Sequence, residues 1–168
     1  VTFTDKSSFD TFKSKFSSAI DTKGGDDEFT FSSQVTQDLD FTKIANLEKL
    51  SFSESDDTVT FGADEFNAGI KTLDLGNGQN KAYLNADTTS SVQVKVNGGT
   101  GTDTFNLDFS RLSEGDYSIN GGTGTDTLKL SGSTGASPIS TDTDFTTSST
   151  ITNVERIDIT SLNLNTTT

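Results

Sequence analysis

Apolar positions recur in register along the centre of this chain, 23 residues apart. Leu50, Leu73, Val96 and Ile119 open four twelve-residue copies: LSFSESDDTVTF, LDLGNGQNKAYL, VNGGTGTDTFNL and INGGTGTDTLKL. Val59, Ala82, Phe105 and Leu128 form a second apolar register, and Phe61, Leu84, Leu107 and Leu130 a third. A fixed period of this size signals one structural unit stacked on its own copies. The pattern predicts an all-β, parallel β-solenoid with coils of about 23 residues. Each coil should hold two short strands. One ends near 50, 73, 96 and 119; the other covers 57–61, 80–84, 103–107 and 126–130, with inward and outward residues alternating. A tight turn rich in Gly and Asn joins them. The return connections, such as 62–71 and 108–117, are longer and polar.

The ends follow other patterns. Residues 1–4 alternate like a short strand. Phe9, Phe12, Phe16 and Ala19/Ile20 then recur at helical spacing, with Asp10, Lys13, Ser14 and Lys15 on the other face. This predicts an amphipathic helix, started by Asp5 or Ser7 and closed by Gly24-Gly25. Its phenylalanine stripe suits a cap over the first coil, where a solenoid otherwise exposes apolar residues and unpaired strand edges. Asp27-Glu28-Phe29-Thr30-Phe31 matches Asp57-Thr58-Val59-Thr60-Phe61 and reads as a degenerate first coil. Asn46-Leu47-Glu48-Lys49-Leu50 returns as Asn153-Val154-Glu155-Arg156-Ile157. After Leu130 the period loosens into a Ser/Thr/Gly-rich stretch, 131–149, with the lone proline, Pro138. Ile157, Ile159, Leu162 and Leu164 then alternate like a strand. The expected organisation is a single domain over 1–168: strand and capping helix over 1–24, stacked coils over 25–130, irregular coil and terminal strands over 131–168.

Composition changes this picture in three ways. Only 29% of the residues are apolar, a level that suggests disorder, but a disordered chain has no reason to hold apolar residues in register. The net charge of -13 argues against nucleic acid and anionic membranes as partners and favours cations. Cys and His are absent, which removes disulfides, zinc sites and the common nucleophile–base pairs, so no enzyme is expected. No apolar run is long enough to span a membrane. No secretory leader is visible, and Val1 in place of Met reads as a processed or excised chain.

One polar position also keeps the register: Asp57, Asn80, Asp103 and Asp126. A stacked fold places these groups in one ladder, where like charges one coil apart repel unless a cation bridges them. Around two of them the turns read Gly98-Gly99-Thr100-Gly101-Thr102-Asp103-Thr104-Phe105 and Gly121-Gly122-Thr123-Gly124-Thr125-Asp126-Thr127-Leu128. Both match the nonapeptide G-G-x-G-x-D-x-U-x. In these residues the chain resembles the RTX family of secreted bacterial proteins. The resemblance implies a β-roll-like solenoid that binds Ca2+ between coils. By it, Asp103 and Asp126 are side-chain ligands, carbonyls of Gly99, Gly101, Gly122 and Gly124 are their companions, and Asp57 and Asn80 form a weaker second site. It also implies a secreted, cell-surface setting: a calcium-binding structural module of a surface layer, filament or adhesin. The chain departs from the family layout in carrying one such turn per coil instead of two, so ions should line one edge only. Two alternatives stand beside this one. Thr100, Thr102, Thr123 and Thr125 form small rows that suit ice, and calcium-binding modules also accompany polysaccharide-modifying enzymes. Copies joining end to end, with residues 1–4 adding to a neighbour's sheet edge, are a further expectation.

Overall fold

The structure, a computed structural model, describes residues 1–86, 93–109, 111, 116–133 and 150–163. Its body is two parallel sheets facing one another. The first has seven strands: β1 (Thr2–Phe3), β3 (Glu28–Phe31), β5 (Lys49–Ser51), β7 (Thr72–Asp74), β9 (Val94–Asn97), β12 (Tyr117–Asn120) and β15 (Thr150–Thr152), side by side in that order. The second has five: β6 (Thr58–Phe61), β8 (Lys81–Leu84), β11 (Thr104–Asp108), β14 (Thr127–Ser133) and β16 (Arg156–Asn163). Smaller parallel pairs join β2 (Ile20–Asp21) to β4 (Ile44–Ala45), and β10 (Thr100–Gly101) to β13 (Thr123–Gly124). This is an all-β parallel solenoid, and its registers are the sequence registers. Leu50 lies beside Leu73, Leu73 beside Val96 and Val96 beside Ile119. Val59, Ala82, Phe105 and Leu128 form the facing row. Both rows are buried. Each coil contributes a few inward side chains and its neighbours complete the burial, so a modest apolar content suffices.

At the N-terminal end, α1 (Lys6–Ser14) starts at Asp5. The Asp5 carboxylate accepts from the Ser8 N–H at 2.9 Å, and the Ser8 hydroxyl accepts from the Asp5 N–H at 3.0 Å, a reciprocal cap. Phe9 is fully buried, its ring packed against those of Phe3, Phe29, Phe31 and Phe41 at centroid distances of 5.0–6.2 Å. The Lys13 ammonium stands over the Phe9 ring and pairs with the Asp40 carboxylate at 2.8 Å, tying the helix to the first coil. The helix is shorter than its apolar stripe. Ser17 and Ser18 favour non-helical backbone, Phe16 is exposed, and the Ile20 N–H donates to the Lys43 carbonyl at 2.7 Å as β2 forms.

One sequence expectation is corrected here. Residues 27–31 occupy the position of the first strand of a coil: Phe29 lies beside Leu50, not in the Val59 row. Alternation alone is common to both strands. The partners decide, because β1 flanks β3 on its other side and the Phe31 ring stacks on Phe52 at 5.6 Å. Residues 1–4 belong to the chain's own sheet: Thr30, Ser32 and Ser33 donate N–H bonds to the carbonyls of Val1, Phe3 and Thr4 at 2.8–2.9 Å. One edge of this segment is therefore already paired. Among the return connections, 62–71 folds into α2 (Ala63–Ala68), which ends on Gly69 at φ 103° and buries Ala68 and Ile70. Among the described residues no helix is long and apolar enough to cross a membrane.

Candidate metal centre

The glycine turns bring backbone onto backbone. Gly99 and Gly122 hold φ of 96° and 101°, Gly101 and Gly124 of 131° and 142°, values that side chains rarely adopt. A Cβ on Gly99 would stand 1.8 Å from the Gly76 carbonyl oxygen, and one on Gly101 1.8 Å from that of Gly78. One coil on, where β10 pairs with β13, a Cβ on Gly122 would stand 2.1 Å from the Gly99 carbonyl oxygen, and the Thr123 N–H donates to that same carbonyl at 2.9 Å. That carbonyl keeps its second lone pair.

Behind the turns, at the entry to the second sheet, runs a hydrogen-bonded ladder. The Asp57 N–H donates to Asn80 Oδ1 at 2.9 Å, the Asn80 N–H to Asp103 Oδ1 at 2.9 Å, and the Asp103 N–H to Asp126 Oδ1 at 2.8 Å. Val35 begins it by donating to Asp57 Oδ1, and Glu155 ends it by accepting from the Asp126 N–H at 2.7 Å. The four registered residues thus come together in one column. All are buried, none more than 2% exposed.

The second polar atom of each side chain separates them into two kinds. Asp57 Oδ2 accepts from the Ser53 N–H and hydroxyl at 3.2 and 3.0 Å, and Asn80 Nδ2 donates to the Asn77 carbonyl at 3.3 Å. Asp103 Oδ2 and Asp126 Oδ2 are buried without any partner. Each lies against a glycine. A Cβ on Gly98 would meet Asp103 Oδ2 at 2.6 Å and the Gly121 carbonyl oxygen at 2.2 Å. A Cβ on Gly121 would meet Asp126 Oδ2 at 2.6 Å and the Asn153 carbonyl oxygen at 1.9 Å. A carboxylate oxygen and the next coil's carbonyl oxygen therefore converge over a bare Cα, twice in succession.

Electrostatics follow from this burial. Desolvation pushes the Asp103 carboxyl up to about 6, opposed by the Asn80 N–H and reinforced by the neighbouring Asp126 charge. Asp57 is also raised by burial, against the bonds from Val35 and Ser53 that favour its ionised form. The column is rich in oxygen and has no nitrogen or sulfur ligand to offer, the donor set of a hard cation such as Ca2+. Unpartnered buried carboxylate oxygens fit such an ion. Among the described residues no three acidic side chains converge on one point. A cation here would take one or two carboxylates and complete its shell with main-chain carbonyls and water.

Sequence periodicity misses two members of this site. Glu155 follows Asp126 by 29 residues and falls outside the period. Its signal is the echo of residues 46–50: Glu48 accepts from the Asp27 N–H at 3.0 Å as Glu155 does from Asp126, and Asn46 and Asn153 share a left-handed backbone. Ser53 escapes the pattern because it replaces a turn glycine. The exposed threonine rows are two rungs deep, with the Thr100 hydroxyl donating to Asn77 Oδ1 at 2.6 Å. The chain matches no family model, no curated protein and no solved structure, so the functional reading rests on this geometry and on the repeat pattern itself.

Proposed function

We propose that this chain is a calcium-binding structural module of an extracellular surface protein, with Ca2+ joining adjacent coils at the Asp103/Asp126 turns. The observation that carries the reading is the pair of buried, unpartnered oxygens, Asp103 Oδ2 and Asp126 Oδ2. An ionised carboxylate buried without a partner is costly. Two of them on adjacent coils, roughly 4.8 Å apart in a parallel stack, add mutual repulsion. A divalent cation turns both costs into bonds. The carbonyls of the glycine turns supply further oxygens of the kind calcium prefers. The surface setting, in a surface layer, filament or adhesin, is supported by the GGTGTD turns, the acidity and the absence of cysteine. Association of copies belongs to the same reading. Its support is β16, the outermost strand of its sheet among the described residues, on which Ile157 and Ile159 are 50% and 44% exposed.

Calorimetry of the full chain with CaCl2, with EGTA and with MgCl2 tests the proposal. Calcium at 100 times its dissociation constant stabilises by about 2.7 kcal/mol per site, and magnesium does much less. An unfolding temperature that is the same in calcium and in EGTA at neutral pH rejects it.

A further inference from the structure

The acidic column does not stop at the last glycine turn. Ile151 of β15 lies beside Ile119 of β12, so their coils are in register at the start of the corner. From Ile119 the chain takes seven residues to reach Asp126; from Ile151 it takes four to reach Glu155. The shorter corner turns on Asn153 at φ 51°. Arg156 lies beside Thr127, so Glu155 meets the ladder in register with Asp126 and accepts the Asp126 N–H at 2.7 Å. The Glu155 and Arg156 N–H groups both donate to the Asp126 carbonyl, at 3.1 and 3.0 Å, so the corner is fixed from the main chain as well.

The surroundings of Asp126 then repeat those of Asp103, except that the carboxylate one rung on, Glu155, is exposed where Asp126 is buried. In both, an aspartate with 0% exposure aims an unpartnered Oδ2 at a glycine Cα, and the next coil's carbonyl converges on the same Cα. That carbonyl belongs to Gly121 above Asp103 and to Asn153 above Asp126. In both, the next rung brings a carboxylate: Asp126 above Asp103, Glu155 above Asp126. The Arg156 side chain does not neutralise the column, because Arg156 continues the outward row of Lys81, Thr104 and Thr127 and is exposed. The earlier rungs differ. Ser53 partners the second oxygen of Asp57, and Asn80 carries an amide already bonded to Asn77.

We propose that the chain holds two calcium sites in succession, one between Asp103 and Asp126 and one between Asp126 and Glu155, and none at Asp57/Asn80. Asp126 is shared, Glu155 is a ligand, and the Asn153 carbonyl takes the part played by Gly121 one coil earlier. This rests on the calcium reading above and goes further by assigning a site that the nonapeptide pattern does not contain.

Isothermal titration of the metal-free full chain with CaCl2 tests it. Wild type takes up two equivalents. Glu155→Gln and Asp103→Asn each take up one, Asp126→Asn takes up none, and Asp57→Asn keeps both. These changes remove charge and keep an acceptor oxygen for the ladder N–H, as Asn80 does for Asp57 at 2.9 Å. Far-UV circular dichroism in EGTA checks that the coils remain stacked. A Glu155→Gln chain that binds calcium with wild-type stoichiometry and affinity overturns the second site. So does an Asp126→Asn chain that loses one equivalent only, or an Asp57→Asn chain that loses any. A wild-type chain that binds no calcium defeats the proposed function itself. One that binds a single equivalent, lost in Asp103→Asn and kept in Glu155→Gln, defeats this inference alone.

Discussion

The main-chain N–H of Asp103 donates to Oδ1 of Asp126, 2.8 Å away, so a carboxylate of one coil fixes the backbone of the coil before it. The aspartate therefore has a structural role that precedes any metal, and the two roles separate by mutation. Asp126→Ala removes the acceptor and leaves a buried N–H unsatisfied, at a cost of about 1–3 kcal/mol. Asp126→Asn keeps the acceptor and removes a buried charge. In EGTA, urea denaturation should rank Asp126→Asn at or above wild type and Asp126→Ala clearly below both. With calcium, wild type should rise above Asp126→Asn. Equal losses from the two variants in EGTA would mean the carboxylate charge, not the hydrogen bond, holds the rung.

Acid and calcium should act in opposite directions. Burial raises Asp103 to about 6 and Glu65 to about 8, and it raises Asp57 as well. A carboxyl whose pKa is higher in the folded chain than in the unfolded one favours folding while protonated. That contribution is complete below the ordinary carboxylate range and is lost as pH rises through the folded pKa. Its size is about 1.4 kcal/mol for each pH unit separating the two pKa values. The metal-free chain should thus melt at a lower temperature at pH 8 than at pH 5. Groups held below their usual range, such as Glu28 by Ser51 and Asp40 by Lys13, lose their contribution only below the ordinary carboxylate range, outside this window. Calcium needs the ionised forms, so its stabilisation should grow through pH 6. Scanning calorimetry at pH 5 and 8, with EGTA and with calcium, reads both trends. A metal-free chain that gains stability from pH 5 to 8 would contradict the burial argument.

The period of 23 determines the inner strands of both sheets, β5 to β12 in one and β6 to β14 in the other, and the column Asp57–Asn80–Asp103–Asp126, because stacking maps equal spacing onto equal position. What it does not show is how each rung ends. Asp57 and Asp103 are the same residue in the same register, yet one finds Ser53 and the other faces Gly98. Nor does it place Glu155, because Glu155 follows Asp126 by 29 residues, although the strand register sets the two side by side. Residues 27–31 sit in the other strand from the one their pattern suggests for a related reason: alternation states which side chains face inward, not which neighbour they meet.

The turn glycines should tolerate substitution very unequally. At Gly121 a Cβ would collide with Asn153 O and Asp126 Oδ2, and at Gly124 it would stand 1.5 Å from Gly101 O on a left-handed backbone. Either change to Ala forces coils apart, at about 1–3 kcal/mol or more. Gly24 has no atom within 4 Å of the corresponding point, and Gly24→Ala should be neutral or slightly stabilising. Urea midpoints of the three variants check this. Equal effects would mean the turns are not stacked as closely as described.

The two ends of the solenoid are unlike, and this limits how copies can join. At the N-terminal end, α1 seals Phe3, Phe29, Phe31 and Phe41 beneath Phe9, and Phe9→Ala should cost about 3–5 kcal/mol. At the other end, Ile157 continues the inward row of Val59, Ala82, Phe105 and Leu128, yet remains half exposed because no described strand lies beyond β16. An edge strand of this kind adds readily to another. Two copies meeting through β16 alone form a closed, two-fold pair. Sedimentation in calcium should therefore show monomers and dimers, with the dimer lost in Ile157→Asp. Assemblies larger than dimers would show that the sealed end also takes part, and a wild-type chain that stays monomeric at high concentration would remove β16 as a contact.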